Sequence, residues 1–247
     1  MRWQMQDCRT PKGLHSIRRA PLGSPTTDLC RLDWEHREAA AWSNNEQGHG
    51  FSGFAVKGGW DNQMRNVIFA INLTIDGCCD HTKTISDEEL LGHYTQLLGE
   101  VDLLVFGRKT YQLMVPYWPD VAKTQSTTGA EKEFARTFDS IDKVVFSRSL
   151  DSVEGANTRI VRTNLQDEVL RLKEGQGKGI LVGGVDLPSQ LIELGLVDEY
   201  RVVIQPILAG EGRRLLQGVS LQEKLQVKLV DSKILRSGFV ALRYLKP

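Results

Sequence analysis

The residues best placed to do chemistry sit where an apolar run meets a glycine. In VDLLVFGRKTYQLM, Val101–Met114, an apolar segment ends at Gly107 and a helix-forming segment follows. A helix starting there offers free N–H groups and the positive end of its dipole to an anion. Arg108 adds a guanidinium that matches phosphate geometry, and Thr110 adds a hydroxyl. The second place is GILVGGVDLPSQLIELGLVDEY, Gly179–Tyr200, where Gly183-Gly184 lead through Val185 and Asp186 into another helix. A glycine pair lets a ligand approach the backbone, because no Cβ intervenes. The third is KVVFSRSL, Lys143–Leu150, with Ser147 and Arg148 just past a strand end. All three suit phosphate. None of them is a P-loop or a GxGxxG fingerprint, since the glycines are too few and wrongly spaced.

Other polar and aromatic residues fall near these turns in the chain. Asp76 and His81 are the candidate proton donors, and Asp80 is a candidate substrate contact. Tyr111 and Trp118, with Tyr117, can stack on a planar ring. Arg213 and Arg214 can grip an acidic group. Each has a plainer reading too. Asp76-Gly77 is a turn signal, and the aromatics beside Pro116 and Pro119 serve equally as loop anchors. No Cys/His spacing fits zinc, so no metal is expected.

The elements that must hold these turns follow from periodicity. Asn66–Ile75, Val101–Phe106, Lys143–Ser147, Thr158–Arg162, Gly179–Val182 and Glu199–Ile207 are predicted strands. Helices are predicted over Ser86–Gly99, from Gly107 to about Met114, over Leu165–Lys173 and over Asp186–Leu194. Ser86 is the expected N-cap of the first, with Asp87, Glu88 and Glu89 in its first turn. Leu225–Leu235 and Phe239–Leu245 form a terminal antiparallel pair joined at Ser237-Gly238. Alternating strand and helix implies a three-layer α/β/α domain with a mostly parallel central sheet, and the ending adds an antiparallel hairpin.

Composition limits the partners. Lysine plus arginine equal aspartate plus glutamate at 31 each, so the chain has no general attraction for nucleic acid or anionic membrane. Any anion it takes must be held locally. No apolar run is long enough to span a bilayer. The four cysteines, Cys8, Cys30, Cys78 and Cys79, read as reduced thiols of a cytoplasmic protein. Residues 1–63 have scattered aliphatics and frequent glycine, proline, asparagine and glutamine, and are expected to be a disordered leader. Met64 directly precedes the first strong strand, and the native protein is expected to begin there.

The combination LTIDG, FGRKTYQLM, VVFSRSL, LVGG before a helix, QPILAGEGRRLL and a closing hairpin resembles the dihydrofolate reductase-like superfamily. It is most similar to the reductase domain of bacterial riboflavin-biosynthesis deaminase-reductases and their stand-alone relatives, across residues 64–247. The resemblance implies an NADPH-dependent reductase of a small heterocycle, of the 5-amino-6-(5-phosphoribosylamino)uracil reductase kind, and a homodimer. It places Gly107, Arg108 and Thr110 at the cofactor phosphates and Ser147 and Arg148 at its adenosine end. It places Gly183, Gly184, Val185 and Asp186 at the pyrophosphate, and the first strand end, Asn72, Thr74 and Asp76, by the nicotinamide. Three departures bear on the substrate. Val182 stands where the riboflavin enzymes commonly carry glutamate, and Gly107-Arg108-Lys109-Thr110 stands in place of G-A-G-T. Residues 78–99 lack the tryptophan that accompanies the folate enzymes' acidic residue. The alternatives are a dihydrofolate or pterin reductase, or a non-catalytic NADPH-binding sensor.

Overall fold

A computed structural model describes residues 64–124 and 128–247. The expected disordered leader, residues 1–63, lies outside the described residues.

Eight strands form one sheet: β1 (Val67–Thr74), β2 (Val101–Gly107), β3 (Asp142–Phe146), β4 (Thr158–Val161), β5 (Gly179–Gly183), β6 (Glu199–Gln205), β7 (Lys228–Ile234) and β8 (Val240–Leu245). Their order is β4-β3-β2-β5-β1-β6-β8-β7. The first six are parallel, and β6, β8 and β7 pair antiparallel. Among the described residues the six α-helices are α1 (Glu88–Gly99), α2 (Arg108–Met114), α3 (Tyr117–Lys123), α4 (Gly129–Ser140), α5 (Leu165–Glu174) and α6 (Asp186–Glu193).

The topology explains the layers. From β1 to β4 the chain steps outward across the sheet, and from β4 through β5 to β6 it steps back. Parallel crossovers are right-handed, so reversing direction moves the connecting helices to the opposite face. Strand residues alternate faces accordingly. Phe69, Val105 and Val182 pack with Val169 and Leu172 of α5 and Leu187 and Leu191 of α6. Ile68, Leu104 and Phe106 pack with Leu97 and Leu98 of α1 and Phe134 and Phe138 of α4. The three-layer fold with its terminal hairpin is the architecture that the alternating pattern predicts.

The differences are local. Asp87, not Ser86, caps α1: its carboxylate accepts from the Leu90 N–H at 2.7 Å. Asp87 has the better-placed oxygen for the third helical N–H. Pro206 ends β6 before Ile207, because proline brings no N–H to the ladder. The sequence reading assigns no element between Met114 and Lys143, where α3 and α4 lie. The start of α4 is a capping box: Thr128 and Glu131 exchange side-chain to backbone bonds at 3.3 and 2.9 Å.

Candidate functional site

The carboxyl ends of β1 to β5 open into one cleft of about 1680 Å³. This is where an open α/β sheet collects ligands, beside the strands at which its order reverses. Ligand pockets are typically about 300–1,000 Å³, so there is room for more than one small group.

Two neighbouring strands deliver the two glycine turns to this cleft. β2 pairs with β5 so that Phe106 lies opposite Gly183. The glycines differ in what they permit. A Cβ on Gly183 would come within 2.8 Å of the Phe106 ring. Gly184 has φ +94, and a Cβ there would run into the Thr110 hydroxyl. The second turn is therefore glycine by packing. Gly107 is different: its backbone is extended, and an added Cβ would meet only Leu187, at 3.8 Å. Protein packing does not demand glycine there, and the space beside it belongs to the cleft. That is a place where a ligand can lie against the backbone.

The cleft is locally cationic although the chain is neutral. Arg108, Lys109, Arg148 and Arg162 line it, and among the described residues none forms an ion pair. The Arg108 guanidinium makes one long bond, 3.3 Å, to Gln112 on its own helix. Arg162 donates to the Leu150 carbonyl. The Ser147 hydroxyl oxygen accepts from the Ser149 and Leu150 N–H groups, which folds the turn and presents Arg148. The α6 N-terminus has no side-chain cap, and Val185 and Asp186 face the cleft. Asp186 pairs with Arg213, and that guanidinium holds its carboxyl below the usual range.

Of the residues singled out from the sequence, Asn72, Asp80, His81, Gly107, Arg108, Thr110, Trp118, Ser147, Arg148, Gly183, Gly184, Val185 and Asp186 line this single cleft. Five lie outside its lining, Tyr117 and Arg214 among them. Thr74 is buried, donates to Asp76 at 2.6 Å and accepts from the Cys78 N–H at 2.9 Å. Asp76 accepts from the Ala209 and Gly210 N–H groups at 3.0 and 2.9 Å, anchoring the loop after β6. The Thr74 hydroxyl and these N–H groups hold its carboxyl down to about 2. It is ionised and turned to the loop, so it donates no proton to the cleft. Tyr111 is buried, and its hydroxyl accepts from the Glu154 N–H at 2.8 Å, which pins the loop after β3.

Asp80 and His81 sit at the mouth. Asp80 accepts from the backbone and hydroxyl of Thr82, which lower its pKa. His81 is exposed, 3.8 Å from that carboxylate. Gln205, fully buried, holds the Ile85 backbone through its N–H and its carbonyl at 2.9 and 3.0 Å, fixing the mouth segment Thr84–Ser86. Inside, Tyr94 donates to Asn72 at 2.8 Å.

Sequence reading missed two groups here. Arg162, Thr163 and Asn164 line the cleft at the end of β4. Their signal was the Asn164 N-cap of α5, which accepts from the Gln166 and Asp167 N–H groups. Tyr94 read only as one residue of an apolar helical face.

Residues 65–241 match the family model of the RibD C-terminal domain. The chain belongs to that family. This RibD C-terminal domain is 30% identical over 188 residues to the uncharacterized protein YyaP of Bacillus subtilis, covering 74% of this chain and 95% of that one. Its fold is shared with a putative riboflavin biosynthesis protein from Shewanella sp. PV-4 (TM-score 0.56, 18% identity), over 74% of this chain and 99% of that one. It also shares the fold of the diaminohydroxyphosphoribosylaminopyrimidine deaminase/5-amino-6-(5-phosphoribosylamino)uracil reductase of Thermotoga maritima. There the TM-score is 0.53 and the identity 16%, over 75% of this chain and 58% of that one. Among the described residues no helix is long and apolar enough to cross a membrane, and no cluster of His, Cys, Asp or Glu could hold a metal.

Proposed function

We propose that this RibD C-terminal domain is an NADPH-dependent reductase of a small heterocyclic compound. The observation that carries the reading is the space beside Gly107, where packing does not demand glycine, bordered by cations that form no ion pair among the described residues. A dinucleotide fits that arrangement. Gly107, Arg108, Thr110 and the Gly183–Asp186 turn would hold the pyrophosphate. Arg148, with Ser147 shaping its turn and Arg162 beside it, would take the adenosine end and its 2′-phosphate. Asn72 would face the nicotinamide.

When bound, NADPH supplies a hydride: its C4–H bond breaks, a C–H bond forms at an electrophilic ring carbon, and NADP⁺ remains. The chain's contribution is positioning. The apolar wall on the α1 side excludes water, and Tyr94 fixes the Asn72 amide. Asp80 and Asp186 are held ionised by their partners, so the proton that completes the reduction comes from solvent at the mouth, where His81 can relay it. The domain is read as a cytoplasmic homodimer with the β7–β8 hairpin as its contact.

The test is paired: NADPH binding by calorimetry, and loss of reduced-nicotinamide absorbance with a panel of pyrimidine and pterin heterocycles. Turnover with one of them supports the reading. Tight binding without oxidation across the panel favours a sensor, and no NADPH binding sinks both.

A further inference from the structure

The cleft has two chemically distinct halves. The half at the ends of β2, β3 and β4 carries Arg108, Lys109, Arg148 and Arg162. The other half is a chamber between the sheet and the helices of the α1 face. Leu91, Tyr94, Leu98, Met114, Trp118 and Phe134 wall it, and the Trp118 and Phe134 rings lie 4.4 Å apart. None of these six carries a charge. The polar pair there is Tyr94 with Asn72. Because the Tyr94 hydroxyl donates to Asn72 Oδ1, the two Nδ2 hydrogens of Asn72 are left to donate to an incoming carbonyl.

The cations around the mouth are engaged. Lys83 bonds Glu211 at 2.7 Å, Arg213 pairs with Asp186, and Arg214 lies 3.6 Å from Asp76. A phosphate entering this half would meet cations already neutralised by carboxylates. Burying it against the chamber wall would cost several kcal/mol with no charge to offset it. A cationic ring is disfavoured for the converse reason: no carboxylate stands among the six wall residues, Asp186 is paired with Arg213, and Asp80 lies out at the mouth, bonded to Thr82.

Resting on the cofactor reading above, we infer that the substrate is an uncharged, planar, carbonyl-bearing ring compound with no phosphate. It stacks on Trp118 and hydrogen-bonds Asn72. This departs from the phosphoribosyl compound in the name of the Thermotoga protein, and it narrows the substrate without changing the two-electron chemistry.

The experiment uses the full chain loaded with NADPH, whose own binding is measured first, so that failure of the cofactor reading is seen separately. Coumarin, an uncharged two-ring carbonyl compound, and 5-amino-6-(5-phosphoribosylamino)uracil are titrated by calorimetry and by tryptophan quenching. Coumarin is expected to bind at least about tenfold more tightly, a difference of about 1.4 kcal/mol. Its quenching should disappear in Trp118→Phe, which keeps Trp3, Trp34, Trp42 and Trp60 as a background. Equal or tighter binding of the phosphoribosyl compound overturns the inference. So does NADPH-loaded protein that binds neither compound, or quenching that survives in Trp118→Phe.

Discussion

The Gly184 backbone lies directly against the Thr110 side chain, at a φ of +94 that side chains rarely adopt. This relationship locks the turn after β5 to the first turn of α2. Gly184→Ala should therefore damage the fold itself, by about 1–3 kcal/mol of backbone strain with a steric clash added. Gly107→Ala is the contrast. Its backbone suits alanine, and the new methyl would stand 3.8 Å from Leu187. Thermal melts should show a lowered midpoint for Gly184→Ala and an almost unchanged one for Gly107→Ala. Calorimetry should show NADPH affinity reduced in both. A Gly107→Ala protein that melts normally and binds NADPH normally would remove the first turn from the cofactor site.

The arginines should separate by cofactor. Arg108 follows Gly107 at the start of α2, next to the β5 turn, where a pyrophosphate would lie. Arg148 stands past β3, one strand further out. A charge-assisted hydrogen bond is worth about 1.5–3 kcal/mol. Arg108→Ala should weaken NADPH and NADH alike by roughly 10–100-fold. Arg148→Ala should weaken NADPH by a similar factor and leave NADH nearly unchanged. The reverse pattern would exchange the two assignments.

What could be read from the sequence has a physical boundary. Buried parallel strands announce themselves as continuous apolar runs, and the glycine turns sit at their ends, so the half of the cleft around those turns was legible. Helices α3 and α4 were not, although Thr128 and Glu131 form a capping box, because polar residues outnumber the buried Phe134, Ala135 and Phe138 in α4. These helices wall the apolar chamber, so its shape stayed hidden with them, although Trp118 stood out as an aromatic able to stack. Asp76 and Tyr111 show the complementary limit. Their types suit chemistry, but tertiary hydrogen bonds to Ala209, Gly210 and Glu154 spend them on loops. Such partners are far away in the chain and leave no local pattern.

The hairpin makes its own prediction. Among the described residues β7 is an edge strand, exposed along its length, and Leu229, Val230 and Ile234 are 49%, 41% and 79% exposed. An unpaired edge with apolar side chains is a template for another strand. Light scattering should give a dimer for the unaltered chain and a monomer for Ile234→Glu, which still melts cooperatively but at a midpoint no longer dependent on protein concentration. A monomeric parent protein would rule out this contact.

Acid titration tests the role given to Asp76. Its folded-state pKa, held down to about 2, lies below the ordinary aspartate value of 3.8, so the ionised form is favoured by folding. The sign follows from linkage: such a group adds stability that is fully present above the unfolded value and is lost as pH falls through the folded one. Asp76→Asn keeps the shape but removes the charge that the Ala209 and Gly210 N–H groups and the Thr74 hydroxyl stabilise. At neutral pH the variant should unfold at lower denaturant than the parent. The gap should narrow as pH falls below about 4 and close near 2, where Asp76 is itself protonated. A residue acting as proton donor in the cleft would behave differently. Its replacement would abolish turnover and leave the stability gap flat across that range.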